Sequence, residues 1–250
     1  EKNKKLPTFS YQSPNEESLK RVQEYFKLDS IAGEGDEISQ IKNLLNWAHN
    51  VVRHQGEEGM VKSRNAIDIV EICRKENRGV NCRMMAILLN ECYLAMGFKS
   101  RFVTCLPKSE DDTDCHVITI VYSNTLNKWI WMDPTFNGYL TDENGLLLSI
   151  AEVREKLIKG EPMILNEDAN WNNEPRTKEQ YLAYMAKNLY WFECVTRSEY
   201  NVETWDENKI PVEYIRLYPN GYKRKDENKK SKHIIEYITN NPDYFWQKPN

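Results

Sequence analysis

The 250-residue sequence has no Cys-x-x-Cys pair and no His-Glu-x-x-His motif. The usual zinc-ligand spacings are therefore missing, and neither a structural metal nor a cofactor is expected. It has no basic excess: 34 Lys and Arg face 38 Asp and Glu, a formal net charge of −4. That argues against a general nucleic-acid-binding protein. It has no long hydrophobic run; stretches such as Met84–Leu89 fall far short of the ~20 residues that span a bilayer. The first residues, Glu1 to Lys5, are polar with no apolar segment behind them, so no signal peptide is visible. The expectation is a soluble chain, cytoplasmic as numbered, or extracytoplasmic if a signal was removed ahead of Glu1. Histidine is scarce, with four in all, which leaves few candidates for a general base.

Six cysteines are present, at 73, 82, 92, 105, 115 and 194. Most sit inside apolar helical or strand patterns, as free thiols do. Cys105 and Cys115 flank a polar loop and are the one pair placed for a disulfide. A chain of this length needs no disulfide to fold, because it is long enough to bury one sizeable core.

The chain divides into an N-terminal lead-in and helix (1–35), a core (36–165) and an aromatic-rich C-terminal extension (166–250). Ser13-Pro-Asn-Glu16 reads as a capping box with Pro14 at the first helical position. Asp36 caps a second helix with Ile38, Ile41, Leu44, Leu45, Ala48, Val51 and Val52 along one stripe, and Trp47 and His49 lie in it. Asn65 opens a third helix. After Gly97 the pattern changes to strands over Phe98–Leu106, Cys115–Tyr122 and Lys128–Asp133. Ser149-Ile-Ala-Glu152 is another capping box, and Asn166–Arg176 reads as a polar connector. Thr177 to about Cys194 reads as an aromatic helix, and Lys223–Lys232 as the charged tip of a hairpin. There is no internal repeat.

The stretch from Gly79 to Gly97 is apolar on nearly every side of a helical wheel, the pattern of a buried helix. Cys82 falls where its first turn begins, and free backbone N–H groups and the helix dipole stabilise a thiolate there. Cys82 is thus a candidate nucleophile, or else an inert core thiol. A thiol nucleophile needs a base, and the base an orienting group. His49 and His54 are on or just after an amphipathic helix, and His233 is in a polar tail. His116 instead opens a β-branched strand, and the next strand ends in Trp129-Ile-Trp-Met-Asp133-Pro134. If Asn124-Thr125 forms the tip of a hairpin, Ser123 opposes Leu126 and His116 opposes Asp133. Directly opposed side chains share a face, with Cβ atoms roughly 4.5–5.5 Å apart. A carboxylate so placed fixes the tautomer of a histidine.

Gly-Val-Asn-Cys82 at a helix start, Gly97-Phe-Lys-Ser-Arg101-Phe-Val, His116-Val-Ile-Thr-Ile-Val-Tyr and Trp129-Ile-Trp-Met-Asp133-Pro134-Thr135 together resemble the transglutaminase-like superfamily. The resemblance covers roughly residues 36 to 160. It implies an α+β, papain-like core: a buried nucleophile helix packed on a small antiparallel sheet, here with a C-terminal α/β extension. It also implies that Cys82 attacks an amide or ester carbonyl to form a thioester, that His116 takes the thiol proton and that Asp133 orients His116. Two positions depart from the family pattern: Ile118, where an aromatic is frequent, and Cys115, where a small or apolar residue is. One oxyanion donor is expected from the Cys82 backbone N–H, and the second from Trp47 or Asn65.

The function expected is thiol-dependent hydrolysis of a peptide or protein amide, with water as the default acceptor, or acyl transfer. The alternatives are a non-catalytic relative that binds a peptide or protein partner, and an acetyl-CoA-dependent acetyltransferase, for which no CoA-phosphate site is evident.

Overall fold

The computed structural model describes residues 5–224 and 231–250. In chain order the helices are α1 (Glu17–Phe26), α2 (Leu28–Ala32), α3 (Glu37–Val51), α4 (Ala66–Glu76), α5 (Cys82–Ala95), α6 (Ile150–Lys159), α7 (Lys178–Lys187) and α8 (Pro242–Phe245). The main strands are β1 (Ser100–Leu106), β2 (His116–Ser123), β3 (Lys128–Met132), β4 (Asn170–Trp171), β5 (Glu174–Pro175), β6 (Trp191–Val195), β7 (Val212–Leu217) and β8 (Ile234–Thr239). No helix among the described residues is long and apolar enough to cross a membrane.

Local chemistry sets most helix starts. Asp36 accepts the N–H of Ser39 at the head of α3, and Asn65 that of Asp68 at the head of α4. Ser149 and Glu152 form the reciprocal capping box that opens α6. The first helix departs from its predicted start. Ser13 Oγ accepts the N–H of Asn15 in a local turn instead of capping, and α1 begins only at Glu17.

Six strands form one sheet in the order β8-β7-β6-β1-β2-β3. Helices α1, α3, α4 and α5 pack on one face, against Phe102, Val117, Val121, Ile130 and Met132. On the other, α6, α7 and α8 pack against Val103, Ile118, Ile120 and Trp131. Both faces are therefore covered, which is why every residue of β2 is buried. Helix α5 lies across β2 with its residues Met84–Ala95 all buried, and Thr119 Oγ1 donates to the Ala86 carbonyl at 3.0 Å. The result is the α+β architecture expected.

Three further features of the chain correct the sequence reading. The predicted helix over 177–194 stops at Lys187, and Trp191–Val195 is strand β6 between β1 and β7. A strand buried on both faces has the same run of apolar residues as a buried helix, so periodicity cannot separate them. Strands β7 and β8 are parallel, with Val212 beside Ile234, so they are not the two arms of a hairpin. Part of the Lys223–Lys232 charge run lies outside the described residues. The Asn166–Arg176 connector contains the β4–β5 hairpin, turned by Asn172 and Asn173, both at positive φ. Cys105 and Cys115 are both free thiols.

The C-terminal extension supplies β6, β7 and β8 to the central sheet, and also holds the start of α5. Arg83, the second residue of α5, makes a two-pronged ion pair with buried Glu203 at 2.8 and 2.5 Å. Tyr214 Oη also donates to Glu203, at 2.6 Å.

Upstream, the segment at Arg53–Gln55 runs against Gly79–Val80. Val80 N–H donates to the Arg53 carbonyl at 2.9 Å, and Gln55 N–H to the Val80 carbonyl at 2.8 Å. A Cβ on Gly79 would stand 2.5 Å from Gln55 Cβ and 2.6 Å from the Arg53 carbonyl oxygen. Only glycine fits this approach, three residues before Cys82. Gly79→Ala is expected to cost about 1–3 kcal/mol, read as a lower denaturant midpoint with an unchanged slope.

Candidate active site

Cys82 is the first residue of α5. Asn81, the N-cap, accepts the N–H of Met84 at 3.1 Å through its side chain. The first-turn N–H groups of a helix have no acceptor within it, and they converge near Cys82. The residue is half-buried. The His116 and His54 side chains and the backbone N–H of Val117 all act on the sulfur and favour its thiolate.

His116 begins β2 and is buried. Its Nε2 lies 2.8 Å from Asp133 Oδ2. Asp133, directly after β3, is fully buried, and both of its oxygens are occupied. Oδ2 also accepts Tyr181 Oη at 2.7 Å, and Oδ1 accepts the N–H of Thr135 at 3.0 Å. Trp131 Nε1 donates to Tyr181 Oη at 2.9 Å.

The predicted register of this hairpin is off by two. Ser123 pairs with Lys128 and Thr119 with Met132, so a line through Asp133 meets Ile118, not His116. The loop is Asn124–Asn127 rather than Asn124-Thr125. Glu37 builds it by accepting Ser123 Oγ and the N–H groups of Asn124 and Thr125, while Asn127 adopts φ 53°. A shift of two keeps every side chain on its face, whereas a shift of one would not. His116 and Asp133 are thus diagonal neighbours, and long side chains bridge that spacing.

Burial pushes the Cys82 thiol up. Hydrogen bonds from His116 and His54 and the charge of His116 outweigh it and bring the thiol down to about 6, from an ordinary 9.0. Burial pushes His116 down, but the Asp133 carboxylate and the Cys82 sulfur raise it to about 10. The other five thiols, Cys73, Cys92, Cys105, Cys115 and Cys194, are all shifted upward, chiefly by burial. Cys82 alone is set up as a thiolate beside an imidazolium.

The expected second oxyanion donors are engaged elsewhere. The Asn65 amide donates to Ser63 Oγ at 3.1 Å and to Asp68 Oδ2 at 2.8 Å, while its oxygen caps α4. Trp47 packs edge-on against Phe26, ring centroids 4.9 Å apart. It lies two residues from His49, which bonds the Pro134 carbonyl at 2.8 Å; two residues on a helix are about 200° apart. Trp47 therefore faces away from the Asp133–Pro134 side.

His54 and Tyr181 were not singled out by their sequence context. Neither lies in a motif; each reaches the site from an element distant in sequence.

A cavity of about 260 Å³ adjoins His116, lined by Phe136, Trp171, Arg176, Gln180, Tyr181 and Tyr184. The Phe136 and Tyr184 rings contact the His116 ring at 5.6 and 5.4 Å between centroids. Larger clefts of about 480 and 510 Å³ lie by α6, away from Cys82. Among the described residues no group of three His, Cys, Asp or Glu side chains is arranged to hold a metal.

Residues 24–134 match the model of the Transglutaminase-like superfamily, and over this segment the chain is similar to that superfamily. The segment includes Cys82, His116 and Asp133 and leaves out Trp171 and Tyr181. No curated protein matches the sequence. Among solved structures, a crystal structure of a proposed cysteine protease from Cytophaga hutchinsonii is 20% identical, with a TM-score of 0.39. The match covers 55% of this chain and 43% of that one, so this chain spans less than half the length of that protein.

With the thiolate as the reacting form, reactivity rises as pH passes upward through the thiol's pKa. Alkylation of Cys82 by iodoacetamide, followed by peptide mapping, is expected to rise through about pH 6 and stay flat above it. In His116→Ala the same midpoint moves up toward the ordinary thiol range.

Proposed function

We propose that this protein is a thiol-dependent hydrolase or acyl transferase that acts on amide or peptide carbonyls through Cys82, His116 and Asp133. The observation that carries this reading is the alignment of Cys82, a half-buried residue at a helix N-terminus, with His116 and, 2.8 Å behind that ring, a buried carboxylate. The match of residues 24–134 to the Transglutaminase-like superfamily supports the same class.

In this reading the Cys82 thiolate attacks the carbonyl carbon, and the carbonyl oxygen takes the electron pair. As the tetrahedral species collapses, the C–N bond breaks and His116 delivers its proton to the departing amine. The acyl group is left on sulfur as a thioester. His116, now neutral, takes a proton from an incoming water or amine, whose oxygen or nitrogen attacks the thioester. The second collapse returns the Cys82 thiolate, and His116 keeps the proton it took. Asp133 stays ionised throughout and holds the imidazole with Nδ1 toward sulfur. Water is the default acceptor, because no feature of the sequence selects an amine. The aromatic cavity beside His116 suits a flat apolar side chain of the peptide.

The test is acylation by p-nitrophenyl acetate, read as a burst of nitrophenolate and as an acetyl group mapped to Cys82 by mass spectrometry. Cys82→Ala is expected to lose both while keeping the fold. Asp133→Asn is expected to slow the burst by about 10²–10⁴-fold, since the imidazole loses control of its tautomer. A protein whose Cys82 acylates no faster than its other thiols would instead be a binding module.

A further inference from the structure

His54 stands in the loop after α3, well before the nucleophile in sequence, yet its backbone is bridged to the residues that lead into α5, and its side chain acts on the Cys82 thiol as that of His116 does. It is held there from three sides. Its backbone forms a bridge with Val80, two residues before Cys82. Asn172, at the tip of the β4–β5 hairpin, clasps its peptide groups: His54 N–H donates to Asn172 Oδ1 at 3.0 Å, and Asn172 Nδ2 donates to the His54 carbonyl at 2.9 Å. Trp171, on the same hairpin, donates its indole N–H to His54 Nδ1 at 3.0 Å.

That last bond decides the chemistry of the ring. An indole N–H can only donate, so Nδ1 must accept. In the neutral ring the proton is therefore on Nε2. The ring's remaining nitrogen, the one available to Cys82, is thus an N–H donor. The two histidines at the sulfur have opposite assignments. His116 has a carboxylate behind it and is built to take up and release a proton. His54 has an indole behind it and is built to present a fixed hydrogen.

We infer that His54, through its Nε2–H, is the side-chain donor of the oxyanion hole, with the Cys82 backbone N–H as its companion and Trp171 as the residue that fixes its tautomer. The inference rests on the thiol acyl chemistry proposed above. In the resting site negative charge is on the sulfur, and the His54 hydrogen faces it. When the S–C bond forms, that charge moves to the carbonyl oxygen one bond beyond. A donor beside the sulfur then meets the oxygen without a large rearrangement, as a preorganised donor must. The first-turn N–H of Cys82 has no acceptor within its helix and completes the pair. The β4–β5 hairpin, outside the segment that matches the family model, thereby becomes part of the catalytic apparatus, with Trp171 as a positioning residue.

The experiment separates a reaction that develops an oxyanion from one that does not. Acylation of Cys82 by p-nitrophenyl acetate passes through a tetrahedral oxyanion; alkylation by iodoacetamide does not. Each is measured up to its high-pH plateau, so that thiolate content cancels. His54→Leu is expected to lower the acylation plateau by about 10²-fold and leave the alkylation plateau within about 3-fold. His54→Gln, which restores an N–H donor, is expected to recover about 10-fold of that loss. Trp171→Phe keeps the ring and removes only its N–H; it is expected to lower acylation by several-fold and to change the His54 ¹⁵N tautomer signature in NMR. Circular dichroism and unchanged alkylation show that each variant is folded. Equal losses in acylation and alkylation, or an acylation plateau unaffected by His54→Leu, would overturn the inference while leaving the Cys82 reading intact. A wild-type protein that alkylates at Cys82 but never acylates there overturns the acyl chemistry itself.

Discussion

The constraint on which the site depends is the burial of one carboxylate. Asp133 is fully enclosed, and a charge in such a place persists only if every lone pair has a partner. Its partners come from three places: His116 on β2, Thr135 in the loop after β3, and Tyr181 on α7, whose hydroxyl is in turn held by Trp131 on β3. Satisfying Asp133 therefore requires the sheet and α7 to be docked together. Once they are, His116 is fixed in position, and the sulfur at the head of α5 meets a ring whose hold on its proton the carboxylate strengthens. The fold and the poise of the thiol are one problem with one solution.

The second dependence runs through the C-terminal extension. A segment outside the family match contributes half of the central sheet, the ion pair that pins the first turn of α5, the hydroxyl on Asp133 and the hairpin that grips His54. Each contact involves a buried or half-buried polar group, so each costs free energy if broken and left unpartnered. The strands, helix and hairpin of the C-terminal extension are thus integral to the site geometry.

The hairpin between β2 and β3 shows why sequence reading could get the site's face right with the wrong register. The alternation of buried residues fixes which side chains lie on each face, and both His116 and Asp133 fall on the face of Ile118 and Trp131. Loop length is fixed by Glu37, which is far away in sequence, so the sequence around the turn does not reveal it. Trp47 and Asn65 were reasonable donors by residue type. A helix cap uses Asn65, as its place at a helix start already indicated, and helical phase turns Trp47 to Phe26. His54 carried no local signal, because its meaning depends on an indole more than a hundred residues downstream.

The sequence by itself determined the buried helix with Cys82 at its mouth, the capped starts of α3, α4 and α6, the strands after Gly97 and the shared face of His116 and Asp133. These are consequences of periodicity, capping chemistry and side-chain alternation, all of which act over a few residues. Only the tertiary structure decided the register, the parallel pairing of β7 with β8, the strand at Trp191–Val195, and the arrival of Tyr181, Trp171 and His54 at the site. Those follow from burial and hydrogen-bond satisfaction between distant segments, where the partner, not the local pattern, selects the outcome.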